Sequence, residues 1–302
     1  MEEKNEINSE IFNLTKDTLT VKEVAEICKK HNPKINLKET NDEVPNLGFA
    51  LSNVMFEGSE EELKQTKITQ PAIFLHSIAE LIILEESHSP NAVAGHSLGE
   101  FSSLVANKTI SFEDGLKLVF LRATAMQKSC DSSNGTMAAI LGLDDEIIKS
   151  TCKSFDGNVT AANFNCPGQV VISGEFNAVK KICEKFNEIG ARRSILLPVG
   201  GAFHSNLMDD AKSELKEAID KTKFNNPSCP IYQNFTAKKT TSIDEIKENL
   251  INQLTAPVLW TQTINNMVND GYLDYTEVGP GKVLQGLIRK INRETTTKSA
   301  LG

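Results

Sequence analysis

Apolar positions along the chain fall into two regimes. From Thr69 onward they recur with helical or strand spacing, and before it they are sparse. Thr69–Glu85 predicts a helix, with Pro71 near its first turn and Ile73, Phe74, Ile78, Leu81 and Ile82 on one face. Asn91–His96 predicts a short buried strand that runs straight into Gly95-His96-Ser97-Leu98-Gly99-Glu100, and Leu98–Val105 predicts the helix after it. Ser111 opens a further helix. Asp114, three residues on, makes a short-armed capping box, and Leu118, Val119, Ala125 and Met126 form the stripe.

Between residues 136 and 199 the pattern reads strand, helix, two strands, helix, strand. The pieces are Met137–Leu143, Asp145–Ser154, Val159–Asn163, Gln169–Ser173, Asn177–Ile189 and Arg193–Val199, with Asn-Cys-Pro-Gly turn chemistry between the middle strands. That βαββαβ order predicts a ferredoxin-like small domain inserted into a larger α/β domain made of 54–135 and 200–302. The larger domain continues with a helix at Leu207–Lys221, a strand at Ile231–Phe235 and a helix at Ser242–Leu254. A strand at Tyr272–Val278 then leads into Gly279-Pro280-Gly281 and a last helix at Val283–Ile291. The first 53 residues are an atypical segment rich in Lys, Glu and Asn. One helix is expected there, at Thr20–Lys30, with Val21, Val24, Ala25 and Cys28 on a face.

Composition narrows the function classes. The 302 residues are 39% apolar and carry a net charge of -8, with no basic block interleaved with aromatics, which argues against nucleic acid as a partner. No apolar run approaches the roughly 18 residues of a membrane helix. Met1 to Asn5 is acidic with no apolar segment behind it, so no secretory signal is expected. Six cysteines without a CxxC pair read as reduced thiols of a cytoplasmic protein, not as a disulfide framework or a zinc site.

The candidate chemistry centres on the GxSxG turn. Glycines on either side permit a strained strand-to-helix turn that lifts the Ser97 hydroxyl above the sheet, as in an α/β-hydrolase-like domain with a parallel sheet. The Leu98 N–H, at the start of the next helix, is free to donate to an oxyanion. Of the five histidines, His204 in the Gly-rich loop Gly200–Ser205 is the expected base. His96 adjoins the nucleophile, but neighbours on a sharp turn point apart, so it reads as a shaping residue. His76 reads as a core histidine, His88 as a solvated loop residue, and His31 lies in the atypical segment. Arg122 interrupts the stripe of Leu118, Val119, Ala125 and Met126. It either snorkels to water or holds a guanidinium at a pocket wall for a carboxylate.

The segments QPAIFLHS (70–77), GHSLGEFSSLVA (95–106), GAFHS (201–205), QLTAPVLWTQT (253–263) and EVGPGKVLQGL (277–287) resemble the malonyl-CoA:acyl-carrier-protein transacylases of fatty-acid synthesis. The resemblance runs from about Val54 to Arg293. It implies Ser97 as the acylated nucleophile, His204 as its base, and a backbone carbonyl of Gln253 orienting that base. It implies Arg122 as the malonyl-carboxylate ligand and places Asn163 and Asn234 near the cleft. Phe203 before His204 is similar to the malonyl-selective pattern. The implied reaction is ping-pong transfer from malonyl-CoA to the phosphopantetheine thiol of acyl carrier protein. No cofactor is implied beyond these substrates, nor any membrane or nucleic-acid partner. Lys282, Arg289, Lys290 and Arg293 are the candidate basic patch for the carrier.

The Gly-Gln-Gly-Ser-Gln-like loop with which that family begins, source of its second oxyanion donor, is missing from the first 53 residues. Either this segment supplies a substitute or activity is impaired. Two other readings therefore stand beside the transacylase. One is an α/β serine hydrolase or thioesterase, drawing its acid from Asp114, Asp144 or Asp156. The other is an activity-impaired remnant that binds the carrier.

Overall fold

The computed structural model describes residue 59 and residues 65–85 and 89–300. The helix expected at 20–30, the segment boundary at 53–54, and His31, His88 and Cys28 lie outside the described residues.

The chain forms a mixed α/β fold. Helix α1 (Thr66–Glu85) leads to strand β1 (Val93–Ala94), helix α2 (Gly99–Ala106) and helix α3 (Phe112–Ser132). Next come β2 (Gly135–Leu141), α4 (Asp145–Ser154), β3 (Val159–Cys166), β4 (Gln169–Glu175), α5 (Phe176–Glu188) and β5 (Arg193–Leu196). A short 3₁₀ turn (Asn206–Met208) opens α6 (Asp209–Lys221), followed by β6 (Ile231–Tyr232), β7 (Lys239–Thr240), α7 (Ile243–Gln253) and α8 (Trp260–Asn269). The chain closes with β8 (Asp274–Glu277), α9 (Val283–Ile291) and β9 (Thr296–Ser299).

Two sheets position the site. In the first, β1 pairs in parallel with β6, and β6 pairs antiparallel with β7. In the second, β3, β4, β2 and β5 lie side by side in that order, every pair antiparallel. Helices α4 and α5 cover one face of the second sheet and bury Ile148, Val179, Ile182 and Phe186 against Ala138, Ile140, Val170 and Ile172. The other large core lies under α1, α2 and α3, where Phe74, Phe101, Leu104, Leu116 and Met126 are almost wholly buried. Burying each such side chain contributes about 1.5–3 kcal/mol relative to leaving it in water.

Local chemistry set several boundaries as expected. The Ser111 hydroxyl accepts the Asp114 N–H at 3.0 Å and donates to the Asp114 carboxylate at 2.9 Å, so α3 starts where the capping signal stood. Helices α4 and α9 span the predicted residues. Other elements differ. The strand expected at 91–96 pairs only over Val93–Ala94, because β6 offers only Ile231 and Tyr232 opposite it. Helix α1 begins at Thr66, which moves Pro71 from the first turn into the second. Helix α8 was not anticipated. It is held by the burial of Trp260, Ile264 and Met267 at i, i+4 and i+7.

Candidate active site

Strand β1 ends at Ala94, and the chain reverses within five residues to enter α2. Gly95 permits that reversal: a Cβ on it would lie 2.0 Å from the backbone carbon of Gly99. Ser97 then sits at φ 51°, a left-handed conformation that costs an L-residue about 1–3 kcal/mol. Asn234, just past β6, braces the turn from both sides. Its Oδ1 accepts the Ser97 N–H at 2.6 Å, and its Nδ2 donates to the Gly95 carbonyl at 2.7 Å. The Gln253 side chain donates to the Ser97 carbonyl at 3.0 Å.

The Ser97 Oγ stands 2.8 Å from His204 Nε2, and His204 Nδ1 stands 2.9 Å from the Gln253 carbonyl oxygen. A carbonyl only accepts, so Nδ1 carries the proton and Nε2 is left as acceptor for the serine hydroxyl. His204 is itself at φ 57° and 3% exposed. Burial lowers its pKa to about 3, helped by the Arg122 charge and opposed by the Gln253 carbonyl. The imidazole is therefore neutral and ready to take a proton at neutral pH. The unfolded chain binds this proton near 6.5, so the fold loses stability as pH falls from about 6.5 towards 3. Among the described residues no acid completes a triad: Asp114 lies in the first turn of α3, Asp144 caps α4, and Asp156 is exposed. The acid-assisted hydrolase reading therefore has no carboxylate at the histidine among the described residues.

Arg122 does not snorkel. It is 1% exposed, with Nη1 donating to Gln70 Oε1 at 2.5 Å and Nη2 to Ser97 Oγ at 3.0 Å. A longer contact of 3.4 Å reaches Gln253 Oε1, and the guanidinium carbon lies 5.8 Å from the centroid of the Phe101 ring. Its Nε is buried without a hydrogen-bond partner. Burial lowers its pKa to about 10, against the pull of Glu100, so it stays charged at pH 7. A buried cation against a serine hydroxyl makes a ready seat for a substrate anion.

The Leu98 amide opens α2 at φ -51° and makes no hydrogen bond to any described residue, as an oxyanion donor requires. His96 turns away from the serine. Its Nε2 meets Asn165 Oδ1 at 2.9 Å, its ring tilts against Trp260 at 5.6 Å, and burial lowers its pKa. Phe203 packs half-buried between two cores beside His204. Asn163 bridges Val258 through its backbone and leaves a buried, unpaired Oδ1. Neither Phe203 nor Asn163 hydrogen-bonds the Ser97–His204 pair. His76 is a core histidine, 3.6 Å from Glu80. Sequence reasoning missed Gln70, Asn165, Gln233 and Glu100 as parts of this layer. The available signal was a polar side chain on an otherwise apolar helix face, which Gln70 shows. Among the described residues, no three His, Cys, Asp or Glu side chains could hold a metal, and no helix is long and apolar enough to cross a membrane.

Known proteins share this arrangement of sequence and fold. The chain is 43% identical over 251 residues to the malonyl CoA-acyl carrier protein transacylase of Bacillus subtilis, covering 82% of this chain and 79% of that protein. It is 39% identical over 256 residues to the enzyme of the same name from Staphylococcus aureus, covering 84% and 83%. An acyl carrier protein S-malonyltransferase from Vibrio cholerae superposes with a TM-score of 0.84 at 36% identity, over 93% of this chain and 90% of that one. A malonyl-transacylase solved in complex with its type II PKS acyl-carrier protein superposes with a TM-score of 0.84 at 34% identity, over 91% and 87%. The acyl transferase domain matches residues 37–301, starting 17 residues ahead of the boundary drawn at 53 and leaving 1–36 outside. With the match spanning the serine turn, the histidine loop and the buried arginine alike, the chain belongs to the acyl transferase domain family.

Proposed function

We propose that the protein transfers a malonyl group from malonyl-CoA to the phosphopantetheine thiol of acyl carrier protein, through a malonyl ester on Ser97. The observation that carries this reading is the buried, charged Arg122 with its guanidinium 3.0 Å from the nucleophile oxygen. A neutral acyl chain would leave that charge unpaired at a cost of several kcal/mol, whereas a malonyl carboxylate pairs with it. The transacylases similar to this chain support the choice of substrate and carrier.

In the first half-reaction the Ser97 Oγ attacks the thioester carbonyl and its proton passes to His204 Nε2. The Gln253 carbonyl holds the resulting imidazolium through Nδ1–H. Negative charge on the tetrahedral oxygen is met by the Leu98 N–H. Collapse expels the coenzyme A sulfur, which takes the proton from His204. In the second half-reaction His204 takes the proton of the carrier thiol, the sulfur attacks the ester, and Ser97 recovers its proton. Arg122 keeps the free carboxylate throughout. His96 shapes the turn through Asn165, Asn234 braces it, and Phe203 and Asn163 line the cleft. Malonyl-CoA and the phosphopantetheinylated carrier are the substrates, and the steps as drawn call for no cofactor.

In this reading the catalytic domain is α/β-hydrolase-like, built from 54–135 and 200–302. The span 136–199 is an inserted ferredoxin-like domain, supported by the strand order and antiparallel pairing of its sheet. The setting is cytoplasmic, where the buried free thiols stay reduced.

Intact-mass spectrometry after incubation with malonyl-CoA tests the function. A malonyl adduct is expected on Ser97, discharged on adding phosphopantetheinylated acyl carrier protein. Folded protein that gains no adduct overturns the reading, and favours a carrier-binding remnant if the carrier still binds.

The pH dependence carries a second expectation. In the free protein burial, helped by the Arg122 charge, lowers the His204 pKa to about 3, so the acid limb of kcat/KM is expected near that pH. A bound malonyl carboxylate offsets the arginine charge and lets the His204 pKa rise. The acid limb of kcat is therefore expected at higher pH than that of kcat/KM. A kcat limb at no higher pH than the kcat/KM limb, in steady-state rates followed down to about pH 3, would contradict the coupling of Arg122 to His204.

A further inference from the structure

Glu100 stands in the first turn of α2, three residues past the nucleophile, and is 0% exposed. An acid there complements the helix dipole, but that interaction is weak at a solvated helix end. Removing a carboxylate from water costs far more, so the dipole does not account for its burial. Its hydrogen bonds do. One oxygen accepts the backbone N–H of Asn234. The other accepts Gln233 Nε2 at 3.3 Å. Gln233 cannot turn over to suit a different partner, because its Nε2 also donates to the Ile246 carbonyl at 3.1 Å and its Oε1 accepts Asn249 Nδ2 at 3.0 Å. Both carboxylate oxygens therefore face N–H donors, an arrangement only an acceptor at both positions satisfies.

Asn234 is the residue whose side chain holds the Ser97 N–H and the Gly95 carbonyl. We infer that Glu100 is a positioning residue for acylation: its carboxylate fixes Asn234, and through Asn234 the turn that keeps Ser97 in line with His204. It touches no substrate. This inference rests on the acyl-transfer reading of the Ser97–His204 pair, and it adds a residue outside that pair. Burial raises the Glu100 pKa to about 7. The Asn234 N–H, the Gln253 and Gln233 amides and the Arg122 charge act in the opposite direction. A glutamine in its place would serve Asn234 but turn an NH₂ group onto Gln233. An aspartate keeps the charge and is too short to reach both donors.

The test is the rate at which a fluorophosphonate labels Ser97, followed by intact mass in the wild type, E100Q and E100D, with thermal melts alongside. The probe needs an activated serine but no malonyl recognition: a Ser–O–P bond forms, fluoride leaves, and the serine proton passes to His204. A misplacement of about 1 Å in such a pair costs about 10²-fold, so E100Q is expected to label at least about tenfold more slowly than wild type, with E100D between them. With malonyl-CoA, kcat should fall in the same order while KM moves less than about twofold. Folded E100Q that labels at the wild-type rate overturns the proposal, as does a wild-type Ser97 inert to the probe. If E100Q does not fold, E100D decides: a slowing of about threefold or more supports the proposal, and the wild-type rate at an unchanged melting temperature overturns it. Wild type that labels with the probe but not with malonyl-CoA overturns the malonyl-transfer reading and leaves the Glu100 comparison valid.

Discussion

Ser97→Ala is expected to lower malonyl transfer by about 10⁵–10⁶-fold, the scale on which a nucleophile of an acyl-transfer dyad fails. Among the described residues the geometry shows no substitute, since His204 Nε2 has Ser97 Oγ as its hydrogen-bond partner. Ser205, the neighbouring hydroxyl, is committed to the Ala202 carbonyl at 2.7 Å. His204→Ala should cost nearly as much, and the double variant little more than either single one, because the two side chains act as a unit. Malonyl transfer to the carrier, measured by mass, checks this, with thermal melting as the control. The fold should tolerate Ser97→Ala well. Alanine at φ 51° carries about the same backbone strain, and the Asn234 brace uses only the main chain of residue 97. A variant retaining more than about 1% of the activity would remove Ser97 from the covalent role.

The residues behind these expectations were unequally visible in the sequence. Ser97 and His204 showed because a glycine-flanked turn and a Gly-rich loop leave local signatures. Ser111 showed because a cap is settled within four residues. The layer beneath the dyad was much less visible, because its contacts join distant parts of the chain. Gln70 reaches Arg122 across 52 positions and Glu100 reaches Asn234 across 134. Nothing within a helical turn of Glu100 distinguishes it from an ordinary solvated first-turn acid. Gln253 is a sharper case. The group that orients His204 is its backbone carbonyl, which every residue possesses, so only resemblance to a family singled it out. Its side chain has a separate task at the Ser97 carbonyl. Helix α8 was missed for a different reason. Its Thr, Ile, Val and Asn residues have modest helix propensity, and burial of Trp260 and Ile264 overrides it.

Arg122→Ala is expected to lower the preference for malonyl over acetyl by about 30- to 5000-fold, mostly through loss of malonyl acylation. Truncating one partner of a buried, hydrogen-bonded charge pair costs about 2–5 kcal/mol, or roughly 30- to 5000-fold in kcat/KM. Acetyl-CoA has no carboxylate to lose, and the wild-type site penalises it by leaving the guanidinium unpaired, so its acylation rate should change far less. Arg122→Lys should fall between the two. An ammonium retains the charge but lacks the fork that here spans Gln70 on one nitrogen and Ser97 on the other. The substitution also empties a volume beside Phe101 and takes from Glu100 the nearby positive charge that holds its pKa down, so melting temperature must be followed. Burst-phase acylation of Ser97 by malonyl-CoA and by acetyl-CoA, compared on one folded preparation, separates selection from structural damage. A parallel fall with both thioesters would mean that Arg122 supports the dyad and does not choose the acyl group. A fall confined to malonyl-CoA means that the buried cation reads the substrate carboxylate.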